Sequence, residues 1–173
     1  MVRAALQTHG RLNRGPRTGA TFIPAASVVA MSALAILPVV TRIGAWPDFG
    51  FVMLVAWRLL RADAWPAWWA APLGFVNDLL TGAPIGLSVS LWTAVMLAME
   101  LVDRRTQFRD YWIEWAVAAV LILAAEWLEW KVAAWSGAPV PFAQMLPSIV
   151  ISILAFPLFA FLASRLDRWR LGQ

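Results

Sequence analysis

Long apolar runs separated by short polar or breaker-rich stretches set the pattern of this chain. Residues 1–19 hold Arg3, Arg11, Arg14 and Arg17 among Gly and Pro, and they have no apolar periodicity. They read as a flexible basic tail. The run at 21–41 has a basic lead-in, as a signal peptide would. Its length suits a full span of about 20 residues and further runs follow closely, so an uncleaved first helix is expected. The later breaks predict helices at about 47–60, 65–81, 84–102, 111–134 and 142–166. The helix at 47–60 is short for a bilayer and is expected to lean, or to lie partly in the interface. The expected fold class is an all-α integral membrane protein with six transmembrane helices in one domain over 20–173, five spans being the fallback.

Composition decides what those helices face. The chain is 61 % hydrophobic and 14 % charged, with a mean hydropathy of +0.69, where a soluble domain carries roughly 25 % charged residues. Too few polar residues remain to clothe a water-facing surface, so lipid must take that role. Cys is absent and His9, in the tail, is the only His. Disulfides, thiolate or imidazole metal sites, a cysteine nucleophile and an intramembrane Ser–His dyad are thereby excluded. No metal and no cofactor are expected.

The net charge of +4 would elsewhere point to nucleic acid, but here topology accounts for it. With the N-terminus in the cytoplasm, twelve of the fourteen basic residues fall inside. They are the tail arginines, Arg58 and Arg61, Arg104, Arg105 and Arg109, and Arg165, Arg168 and Arg170. Only Arg42 and Lys131 fall outside. The positive-inside bias therefore favours an even number of spans, with both termini cytoplasmic. Tryptophan follows the same division. Trp46, Trp127, Trp130 and Trp135 fall near proposed outer ends. Trp57, Trp65, Trp68, Trp69, Trp112, Trp115 and Trp169 fall near inner ends, leaving Trp92 mid-span. Indole rings favour the headgroup region.

The stretch PLGFVNDLLTGAPIGLS, residues Pro72 to Ser88, breaks the apolar pattern. Gly74, Asp78, Gly82 and Gly86 are spaced by four, and small residues at that spacing let a neighbouring backbone approach closely. Gly82 suits a helix C-terminus with positive φ, and Pro84 suits the first turn of the next helix. A tight antiparallel hairpin is expected, with Asp78 or Asn77 accepting hydrogen bonds from the amides that open the fourth helix. The alternative for this polar pair is a ligand or proton site.

These residues also carry a resemblance. PDFGFVMLVAWRLLRADAWPAWWAAPLGFVNDLLTGAPIGLS, residues 47–88, resembles the rod-shape-determining protein MreD family. The matching positions are Pro47, Asp48, Trp57, Gly74, Asp78, Leu79, Leu80, Thr81, Gly82, Pro84 and Gly86, while Asn77 stands where an apolar residue is usual. The resemblance implies a fold like that of the substrate-binding subunits of energy-coupling-factor transporters. It also implies a place in the bacterial inner membrane and a role in the cell-elongation complex. Members bind MreC directly and through it connect the actin-like MreB filament with the polymerase RodA and its class B transpeptidase.

Glu126 and Glu129 lie three apart on the fifth expected helix, beside Trp127, Trp130 and Lys131. Paired carboxylates in a membrane make a candidate proton relay or cation site, while carboxylates at a helix end are simply solvated by headgroups and by Lys131. Solvation is the expectation. Three function classes follow. A non-enzymatic assembly subunit fits the motif. A small-molecule-binding or transport subunit fits the intramembrane acids and the fold analogy. An intramembrane enzyme lacks a nucleophile–base pair, a His cluster and an Asp-rich metal motif.

Overall fold

The computed structural model describes residues 22–37, 46–61, 65–103, 111–137 and 141–171. The expected tail at 1–19 and the arginines at 42, 104, 105 and 109 lie outside them. Six α-helices form, in the expected order: α1 (Ile23–Ser32), α2 (Phe49–Leu60), α3 (Ala70–Thr81), α4 (Leu87–Asp103), α5 (Tyr111–Trp135) and α6 (Leu146–Leu171). Short 3-10 turns extend α1 and precede α3 and α6. No strand occurs among the described residues.

Local chemistry fixes several of the boundaries. Pro24 opens α1 at a position where a missing N–H costs nothing. Asp48 caps α2, its Oδ1 accepting from the Phe51 amide at 2.9 Å. Gly82 ends α3 in the left-handed region at φ 71, its N–H donating to the Asp78 carbonyl. Within α6, Pro157 has no N–H for the carbonyl of Ile153. The indole of Trp115, on α5, donates to that carbonyl at 3.0 Å instead.

The short helix α2 is the centre of the molecule, enclosed by its neighbours. Every residue from Gly50 to Arg58 is buried. A helix that is apolar all round has no face to give to water, so its neighbours enclose it. It packs chiefly against α1 and α6, while α3 pairs with α4 and α5 with α6. Phe49 stacks on Phe159 with ring centroids 5.5 Å apart, and Trp92 of α4 is fully buried beside Phe51.

Two of the tryptophans expected near inner ends are core residues. Trp57 is fully buried and donates to Ser27 Oγ at 2.8 Å, and Trp65 is buried as well. Trp68, Trp112, Trp127, Trp135 and Trp169 are exposed, as a belt requires. Arg170 is also internal. It lies 2.7 Å from Asp167, which approaches Arg61 at 3.9 Å, and its guanidinium sits over the Trp57 ring. This network ties the C-terminal ends of α2 and α6 together at one end of the bundle.

Among the described residues two helices, α5 and α6, are long and apolar enough to cross a membrane. Only 22 % and 28 % of their most apolar stretches are buried, so neither is the enclosed core helix of a soluble domain. The apolar helices α1 with its 3-10 extension, α2 and α4 are shorter. At 1.5 Å per residue, the 12 residues of α2 rise about 18 Å, against a hydrocarbon core of about 30 Å.

Candidate functional site

The α3–α4 hairpin forms around one carboxylate. Asp78 sits in the last turn of α3 and is almost wholly buried. Its Oδ2 accepts from the Gly86 amide at 2.7 Å and its Oδ1 from the Ser88 amide at 2.9 Å. These are amides at the start of α4, which have no partner within the helix, and a charged acceptor binds them more strongly than a neutral one. The helix dipole at the α4 N-terminus adds to the attraction. Of the polar pair, Asp78 is therefore the capping group.

The turn differs from expectation at Pro84. α4 begins at Leu87 rather than at Pro84. Pro84 instead opens a turn in which its carbonyl accepts from the Leu87 amide at 3.0 Å. Gly86 adopts φ 100, a left-handed value that no α-helix can include, and so helix cannot extend back through it. Gly74 has a different task. A Cβ there would lie 2.6 Å from the Ser88 carbonyl oxygen and 2.7 Å from the Val89 nitrogen. The glycine lets the α4 backbone rest directly on α3.

Asn77 faces the other way, toward α2. Its amide group donates to Asp48 Oδ2 at 3.0 Å and to Ser88 Oγ at 3.1 Å. One side chain thus ties the start of α2 to the end of α3 and the start of α4. Asp48 and Ser88 complete this arrangement; Asp48 was a matching position of the resemblance with no role assigned to it, and Ser88 was not singled out. Asp48 did carry a signal, because an Asp directly before an apolar helical run is an N-cap pattern. Ser88 carried none.

The two glutamates part company. Glu126 is buried and accepts from Ser148 Oγ on α6 at 3.0 Å, so the expectation that it is solvated fails. The ammonium of Lys131 lies over the rings of Trp130 and Trp127, at 4.7 Å and 5.5 Å from their centroids. Glu129 is half-buried and lines a cavity with Asp48, Asn77 and Ser88, apart from the Glu126–Ser148 bond. Among the described residues no group of three or more His, Cys, Asp or Glu side chains could hold a metal ion. Set against protein-family models, curated proteins and solved structures, the chain matches none.

Proposed function

We propose that this chain is a non-enzymatic membrane subunit of the bacterial cell-elongation complex. In this reading it binds an MreC-like partner and helps couple cytoskeletal MreB to the peptidoglycan synthases RodA and its class B transpeptidase. The six helices are read as six spans with both termini cytoplasmic, in an arrangement like that of energy-coupling-factor substrate-binding subunits.

The observation that carries the reading is the hairpin clasped by Asp78. The motif positions that motivated the resemblance converge on one structural task. Asp48 caps α2 and meets Asn77, Gly74 admits the α4 backbone, and Gly82 and Gly86 take the two positive-φ positions of the turn. Together they hold a rigid corner, and Leu79 and Ile85 stand exposed beside it. Exposed apolar side chains on a rigid support suit a partner helix, and they give no hold for chemistry on a substrate.

The test is co-purification with the MreC-like partner across an Asp78 series. Asp78→Asn keeps one acceptor oxygen for two amides, and Asp78→Leu keeps none. Each amide left unpaired in buried surroundings costs about 1–3 kcal/mol. Recovery of partner should fall in the order wild type, Asp78→Asn, Asp78→Leu, with cells rounding in the same order. Equal recovery across the series, with rods throughout, contradicts the proposal.

A further inference from the structure

A polar cavity of about 250 Å³ lies beside the hairpin, where the ends of α1, α2, α3, α4 and α5 meet. Ser32, Trp46, Asp48, Asn77, Ser88 and Glu129 are in its wall. Both N–H groups of Asn77 are already used, on Asp48 and Ser88. Its carbonyl oxygen is left with no hydrogen-bond partner among the described residues, although Asn77 is only 2 % exposed. The hydroxyl of Ser32, 3 % exposed, is likewise unpartnered.

These oxygens converge because Gly50 has no side chain. A Cβ on Gly50 would lie 3.1 Å from Asn77 Oδ1 and 3.2 Å from Asp48 Oδ1, and it would collide with Ser32 Oγ. Buried polar atoms in folded proteins almost always find partners. Here the unmet capacity is for acceptance, apart from one rotatable hydroxyl. Two carboxylates line the same space, and among the described residues no Lys, Arg or His does. A partner complementary to this lining brings hydrogen-bond donors and positive charge.

Size and shape narrow it further. The volume is several times the roughly 30 Å³ that one water occupies, which leaves room for an organic body as well as a charge. Trp46 and Phe49 meet edge to face, 5.8 Å apart, in the same wall. Aromatic rings in such a position attract an organic cation.

We propose that this cavity binds a primary ammonium group, donated to Asp48, to the Asn77 carbonyl and to the Ser32 hydroxyl, with Trp46 and Phe49 against its carbon body. The group is supplied either by a free small amine or by the ethanolamine headgroup of a phospholipid. This inference rests on the cavity and not on membership of the elongation complex, so the two can fail separately.

The test uses the full-length protein in lipid nanodiscs, titrated with ethanolammonium chloride against sodium chloride at matched ionic strength. Thermal unfolding is the readout, since a ligand that binds the folded state raises Tm saturably. In phosphatidylglycerol discs ethanolammonium should raise Tm and sodium should not. If the same shift appears in phosphatidylethanolamine discs, the ligand is a free amine. A shift confined to phosphatidylglycerol discs, with ethanolamine lipid retained on purification from mixed membranes, identifies the headgroup. Asp48→Asn keeps an oxygen for the α2 cap but loses the charge, and should weaken apparent affinity about tenfold or more. Ser32→Ala removes a hydroxyl that makes no hydrogen bond among the described residues, and should weaken affinity severalfold with the unliganded Tm nearly unchanged. No saturable shift in either disc overturns the proposal, as does an equal shift from sodium or wild-type affinity in both variants.

Discussion

Gly74 and Gly82 both resist larger residues, for opposite physical reasons. At Gly74 the backbone is ordinary helix and the obstruction is external, since a Cβ meets the main chain of Ser88 and Val89. Main chain cannot swing aside as a side-chain tip can, so even alanine must push α4 off α3. At Gly82 nothing lies within 4 Å, and the restriction is φ 71 itself. Asn tolerates that region, and β-branched residues do not. Gly74→Ala should therefore lower the unfolding temperature of the purified protein in detergent more than Gly82→Asn does. The reverse order would show that α3 and α4 are not in close backbone contact. Residues such as Gly82 and Asp78 were legible in the sequence because their roles are local, a helix stop and a carboxylate beside the next helix start. Asn77 was not legible to the same degree. Its partner Asp48 lies 29 positions away, and nothing in the chain states that the start of α2 meets the end of α3.

Pro157 shows the same division among whole elements. A proline inside an apolar helix announces a carbonyl without its usual partner, but not what takes its place. The structure supplies Trp115 from α5, a partner of the kind a freed carbonyl needs wherever water is excluded. Trp115→Phe should cost about 1–3 kcal/mol by leaving that carbonyl bare. Pro157→Ala restores the N–H within α6, so in that background Trp115→Phe should cost clearly less. A double-mutant cycle on thermal unfolding measures the coupling, and additive effects would sink the explanation. Helix order and most boundaries were readable from apolar length and breakers. The central place of α2 was not, because length and breakers do not say which neighbours enclose a helix, and packing against α1 and α6 governs where it sits.

Across the whole molecule, charge follows the ends of the helices. The described cations Arg58, Arg61, Arg165, Arg168 and Arg170 lie at the C-terminal ends of α2 and α6, which the Arg61–Asp167 contact brings together. Lys131 lies near the C-terminal end of α5, the helix that returns toward α6. With six spans, a reporter fused at Gln173 that fluoresces only in the cytoplasm should be bright. A dark fusion at normal protein level would require an odd number of crossings or the opposite orientation. In the six-span reading with both termini inside, the hairpin turn and the cavity beside it would lie on the outer face, and the opposite orientation would put both on the inner face. The most direct test of the assembly role places a photo-crosslinking amino acid at Ile85, which is 75 % exposed at the hairpin turn, and at Val120, 64 % exposed on α5. In living cells Ile85 should capture a single-span MreC-like partner, and capture should drop severalfold when Asp78→Leu is added at equal protein level. Capture of that partner from Val120 and never from Ile85, or capture from Ile85 that ignores Asp78→Leu, would contradict the account.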